Sequence, residues 1–300
     1  MRTVLTQRIA PVLVVVGMLS AMGACGSGGG TSSSRPQVVV TTSVLGDVVR
    51  NLLGDAADVL VIIAPGSDPH EIAPSARQVA AMRQADVLVV NGLGLEAGLV
   101  DTIDAARREG TDVVTAADGV EVLDGDPHWF TDPVRMRSAA SRLATALLDQ
   151  VPALDTAPVR ARITRYLDAL EALHAEIVET LAVIPAQRRI LVTNHSAFGY
   201  FAARYDFDVL GTVIPSGSPL AEPSARSLRT LAEQIQTAGV PAIFAETSSP
   251  ARLAQALAAE GAHTEVVELY TESLGPPGSA GATYLDMMRT DARRIAAALG

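Results

Sequence analysis

The chain has 300 residues, 48% of them hydrophobic and 19% charged, with a formal net charge of −10. That length accommodates one large domain or two of ordinary size, and the apolar fraction is ample for a packed core. Every basic residue is an arginine, and no cluster of them could neutralise a run of phosphates, which excludes a nucleic-acid partner. The lone cysteine, Cys25, excludes an intrachain disulfide.

The first segment, MRTVLTQRIAPVLVVVGMLSAMGAC, sets Arg2 and Arg8 before an apolar stretch that ends in small residues. This is the order of a secretory signal peptide over residues 1–24, too short and wrongly flanked for a stable membrane span. Its ending, Met22-Gly23-Ala24-Cys25, resembles a bacterial lipobox. That resemblance implies a lipidated Cys25 as the mature N-terminus, anchored to the outer face of the cytoplasmic membrane. The stretch GSGGGTSSSRP (26–36) then reads as a flexible tether.

From residue 37 strand-like and helix-like segments alternate. Apolar runs at 38–42, 58–63, 86–91 and 112–116 are separated by helical patterns at 46–53, 75–84 and 96–108. After a long helical segment the alternation resumes, with runs at 189–193, 207–212, 241–246 and 264–269. Alternation of this kind predicts two parallel-sheet α/β lobes. The lobes also match each other. DVLVIIAPGSDPHEIAPSAR (58–77) aligns with DVLGTVIPSGSPLAEPSAR (208–226) with one single-residue gap, and VVVTTSVLGDVV aligns with RILVTNHSAFGYF. In this register His70 stands opposite Leu220 and His195 opposite Ser43, so neither histidine is a requirement of the shared frame.

Between the lobes, Val159, Ile163, Leu167, Leu170, Leu173, Ile177, Leu181 and Ile184 recur at helical spacing, with Pro158 and Pro185 at the boundaries. The expected organisation is an N-terminal lobe over 37–155, a linking helix over 156–185 and a C-terminal lobe over 186–300. A continuous helix without a Gly/Ser/Pro hinge predicts small motion between lobes.

Three of the five histidines share a setting. His70 follows the second strand in GSDPHEIAPSAR, His128 lies in the turn DPHWFTDP, and His195 follows the fifth strand in TNHSAF. Ligands of open parallel sheets bind outside the carboxyl ends of the strands. Three imidazoles there, with a carboxylate, predict a borderline divalent metal such as zinc rather than calcium or magnesium. Glu246, which ends the seventh strand, is the carboxylate candidate. His174, on the linking helix, and His263, just before the eighth strand, read as structural.

The segments DPHEIAPSARQ, DPHWFTDP, TNHSAFGYFAARYDF, AEPSARSLRTL, IFAETS and GATYLDMMR, in this order, resemble the zinc/manganese solute-binding proteins of bacterial ABC importers. The resemblance runs from residue 38 to the C-terminus. It implies two α/β lobes joined by one long helix, with His70, His128 and His195 as metal ligands in the cleft. It implies partners too: a membrane permease, its ATPase and a divalent metal ion, the protein itself being a monomer. It also implies an acidic fourth ligand just before the Thr-Tyr of the last segment, where this chain has Ala282. Either water fills that position or another carboxylate does, with Glu246 first and Glu71 second. Manganese members of that family often carry Glu at the place of His195, so the resemblance implies Zn2+ over Mn2+. The competing reading from another class is a secreted zinc hydrolase, which needs a general base beside a metal-bound water; no catalytic signature supports it, so the expectation is a carrier and not an enzyme.

Overall fold

A computed structural model of the chain describes residues 35–214, 223–248, 251–260 and 264–300. The signal and tether segments, Cys25, Leu220 and His263 lie outside the described residues. The N-terminal lobe runs β1 (Gln37–Val40), α1 (Ser43–Leu53), β2 (Asp58–Val61), α2 (Ala76–Gln84), β3 (Val87–Val90), α3 (Val100–Arg108) and β4 (Asp112–Thr115). Two helices follow, α4 (Pro133–Gln150) and α5 (Ala157–Leu181). The C-terminal lobe runs β5 (Ile190–Thr193), α6 (Gly199–Tyr205), β6 (Asp208–Thr212), α7 (Ala225–Ala238), β7 (Ala242–Glu246), α8 (Arg252–Glu260), β8 (Glu265–Leu269) and α9 (Tyr284–Leu299).

The two sheets are wholly parallel and have the same strand order, β2-β1-β3-β4 and β6-β5-β7-β8. Their correspondence extends to single hydrogen bonds. Ile63 N–H donates to the Thr41 carbonyl at 2.8 Å, and at the aligned place Val213 N–H donates to the Thr193 carbonyl at 2.9 Å. The repeated Pro-Ser-Ala-Arg also has one meaning in both lobes: Ser75 caps α2 by accepting from Gln78 N–H, and Ser224 caps α7 by accepting from Ser227 N–H. The matched segments are two copies of one structural unit.

The inner strands are apolar on both faces because helices cover both, whereas the edge strands β2 and β6 leave residues such as Leu60 and Val209 exposed. Val38 and Val40 of β1 and Val87 and Val89 of β3 point into one large core, while Val39, Leu88 and Val90 point the other way, onto Met82, Leu99 and Ile103. In the second lobe Ala242 and Phe244 join the large core, and Ile243 and Ala245 face Leu231, Ile235 and Leu257. The large core continues through both lobes, and residues 35–300 form one compact unit.

α5 has 25 residues, a span of about 37 Å at the usual rise. Its buried side, Val159, Tyr166, Leu170, Leu173, Ile177 and Leu181, packs on α1, α4 and α9. The helix therefore lies along both lobes as a continuous spine. Truncating Leu170 or Ile177 to alanine is expected to lower stability by about 2–5 kcal/mol, the cost of a large-to-small change in a packed core. Urea denaturation checks this. His174 is half-buried on this helix, its Nδ1 3.2 Å from the Tyr205 hydroxyl, and takes no part in the histidine cluster described below.

Candidate metal centre

The tripeptide Asp-Pro-His occurs twice, and each time the aspartate side chain accepts from the histidine backbone N–H. Asp68 accepts the backbone N–H of His70 at 2.8 Å, and Asp126 accepts that of His128 at 2.9 Å. Pro69 opens the single 3-10 turn Pro69–Glu71 that carries His70, and its fixed φ suits that position. His128 immediately precedes another such turn, Trp129–Thr131, which leads into α4. The aspartate–proline pair thus sets the backbone from which each imidazole projects.

Side chains from elsewhere hold the His128 loop in place. Asn91, just beyond β3, donates to the Pro127 carbonyl at 3.0 Å. From the second lobe, the Tyr200 hydroxyl accepts from Leu123 N–H at 3.0 Å and donates to the Asp126 carbonyl at 2.7 Å. Tyr284 donates to the Phe130 carbonyl at 2.7 Å, and Arg204 meets the buried Asp132 carboxylate. The His70 loop rests on the segment before α3, where Gly98 lies so close that a Cβ there would stand 2.0 Å from the Ile72 carbonyl oxygen. Gly98→Ala is therefore expected to displace the His70 loop and weaken metal binding, as read by titration with zinc.

His70, His128 and His195 converge. Their Nε2 atoms lie 2.6, 2.8 and 3.0 Å from one oxygen, Glu272 Oε1, and the Nε2 atoms of His128 and His195 are 3.3 Å apart. The candidate ligand atoms of these four residues all lie within 4.8 Å of one another. Tetrahedral zinc with bonds near 2 Å needs ligand atoms about 3.3 Å apart, so the cluster is close to the required size. His128 and His195 are fully buried, Glu272 is 2% exposed and His70 7%.

The carboxylate in this group is Glu272, in the turn after β8, and not Glu246. Glu246 sits on the far nitrogen of His195, its Oε1 hydrogen-bonded to Nδ1. Strand register explains that place: β5 pairs with β7 through Thr193 opposite Phe244, so two residues further on His195 and Glu246 are lateral neighbours. Asp126 plays the same part for His128, its Oδ1 2.6 Å from Nδ1. Both carboxylates meet Nδ1 and leave Nε2 facing the centre, the arrangement in which an outer carboxylate orients a metal-binding imidazole. Glu71 is exposed on its turn and lies outside the cluster, and Ala282 lines a crevice with Ser43, Asp47 and Leu274.

The electrostatics follow from burial and these pairings. Burial alone would lower the pKa of His195, but hydrogen bonds to Glu246 and Glu272 outweigh it and push the imidazole up to about 10. His128 is raised in the same way, against burial, by Asp126 and Glu272. Burial would raise Glu272, yet its hydrogen bonds with His128, His195 and His70 hold it well below the ordinary carboxylate range. Asp68 is lifted to about 6 by burial and by the negative charge of Glu272. Glu272 Oε2 has no hydrogen-bond donor although it is buried. A bare carboxylate oxygen is costly in such a place unless a cation faces it. The centre is an anionic oxygen ringed by three nitrogen donors, which is a chelating set for a borderline divalent metal.

The profile of the family described as zinc-uptake complex component A, periplasmic, matches residues 38–298. The chain belongs to this family. It is 31% identical over 309 residues to the zinc-binding protein TroA of Treponema pallidum, with 98% of each chain covered. It is 28% identical over 311 residues to the manganese ABC transporter substrate-binding lipoprotein PsaA of Streptococcus anginosus, covering 98% of this chain and 99% of that one. The solved structure of the periplasmic zinc-binding protein TroA superposes with a TM-score of 0.83 at 30% identity, over 89% of this chain and all of the other. The two-lobed fold and the family expected from the sequence are those found.

Proposed function

We propose that this family member captures a zinc ion outside the cytoplasmic membrane and hands it to an ABC permease driven by its ATPase. His70, His128 and His195 would ligate it through Nε2, and Glu272 through a carboxylate oxygen. The observation that carries the reading is the convergence of three imidazole nitrogens on one buried carboxylate oxygen. Three nitrogens and one oxygen suit four-coordinate zinc, whereas manganese favours more oxygen ligands in a six-coordinate shell. Export by residues 1–24 and lipid attachment at Cys25 would keep a monomer at the membrane surface, beside the permease. The lipoprotein named among its relatives supports that arrangement.

A hydrolase would need three protein ligands, an open position for water and a free general base. Four protein groups converge here, and Glu246 is engaged with His195. The family's role in metal uptake supports the carrier reading.

Metal analysis of protein lacking residues 1–25, with titration of the metal-stripped form, tests the proposal. One zinc per chain, held against excess manganese, is expected. Failure to retain any divalent transition metal would overturn it. Mass spectrometry of the protein from its native membrane should find acyl chains on Cys25; an unmodified Cys25 would remove the anchor.

A further inference from the structure

The duplicated lobes differ where it matters for the site. In the second lobe the residue after the first strand's turn is His195, a member of the cluster. At the aligned place in the first lobe stands Ser43, which opens α1 and is 3% exposed. Ser43 does not face the histidines. It reaches across to the other lobe, to the turn that carries Glu272.

Four contacts fasten that turn. Leu274 N–H donates to Ser43 Oγ at 3.0 Å, and the Ser43 and Ser273 hydroxyls are 3.2 Å apart. Gly66 N–H, in the loop that leads to His70, donates to Ser273 Oγ at 2.8 Å and to the Leu274 carbonyl at 3.0 Å. Gly66 holds a φ of +82°, a conformation open to glycine, and this turns its N–H toward the opposite lobe. Ser273 is 2% exposed and immediately follows Glu272. Within the cluster, Glu272 supplies the sole carboxylate, and the residues next to it are tied to the first lobe through the Ser43 and Ser273 hydroxyls.

Resting on the carrier reading above, we infer that Ser43 and Ser273 are positioning residues for Glu272: a two-serine latch between the lobes that holds the anionic ligand on the metal and so sets how fast the ion leaves. Without the latch the turn after β8 keeps its strand but loses its registration against the first lobe, where His70 and His128 reside. Bound metal would then be released sooner, with capture little changed, because the imidazoles retain their own supports.

The test is zinc release from the full chain into a chromogenic chelator, followed by stopped flow, for the parent, Ser43→Ala, Ser273→Ala and each combined with Glu272→Gln. Release should accelerate about 10–100-fold in either serine variant, the usual effect of removing an outer support of a ligand. The visible spectrum of the cobalt-substituted protein should change with it. In the Glu272→Gln background the serine substitutions should add little, because the ligand they position is already gone. Release at the parental rate with an unchanged cobalt spectrum would overturn the latch while leaving the carrier reading intact. So would an equal acceleration in the Glu272→Gln background, which would place the effect elsewhere. A parent that takes up no zinc would overturn the carrier reading itself, and the latch with it.

Discussion

Replacing Glu272 with glutamine is expected to cost far more zinc affinity than replacing Glu246 with glutamine. Glutamine keeps the length and shape of the side chain, so each change removes a charge and little volume. At 272 the charge lost is the one on which three Nε2 atoms converge. The metal would lose its anionic donor in a site where the surrounding histidines are buried and water offers little compensation. At 246 the metal would keep all four donors, and the loss is the negative charge on the acceptor that orients His195 through Nδ1. Changes of that second kind cost about 10–100-fold in affinity. Glu272→Gln should exceed that range by a clear margin in competition titrations against a chelator of known strength. If Glu246→Gln proved the more damaging of the two, Glu246 would be the direct ligand and the geometry assigned here would be wrong.

This comparison marks where sequence reasoning reached its limit. The strands were legible because apolar β-branched runs alternate with helical patterns, and the spine helix because its apolar residues recur at helical spacing from Val159 to Leu181. The copied lobes were legible because the serine caps of α2 and α7 sit in the same Pro-Ser-Ala-Arg string. His70, His128 and His195 stood out because few histidines are present and these three share strand ends or turns. The carboxylate was harder, because Glu246 and Glu272 both occur near the carboxyl ends of strands in the same lobe. Only the pairing register separates them. It makes Glu246 the lateral neighbour of His195, while Glu272, three residues beyond β8, curls over the cluster. One usable signal was present in the Thr-Glu-Ser run that follows β8 at the same kind of strand end as the histidines. The latch was beyond sequence reading for a similar reason, since a serine facing another lobe leaves no local pattern. The alignment of Ser43 with His195 did mark its position.

Zinc binding is expected to release protons, and affinity is expected to rise with pH through the neutral range. His195 is pushed up to about 10 by its two carboxylate partners, against the opposing effect of burial. The sign follows from that direction. Below the raised value the metal-free protein carries a proton on His195, and zinc must displace it before Nε2 can coordinate. Each proton displaced makes affinity rise about tenfold per pH unit until the group's own pKa is passed. The slope should therefore persist well above the ordinary imidazole pKa of about 6.5, where three unperturbed histidines would already have levelled off. In both states the Glu272 carboxylate faces a cation, either zinc or a protonated imidazole. Calorimetric titration at pH 7.5 in buffers of different ionisation enthalpy should count at least one proton released per zinc. Glu246→Gln takes the charge from the foremost of the interactions that raise His195, so the pH at which affinity levels off should move down. If the parent's affinity were flat between pH 7 and 9, with no proton released, His195 would be neutral in the metal-free protein. The carboxylates around it would then be fixing its orientation without setting its charge.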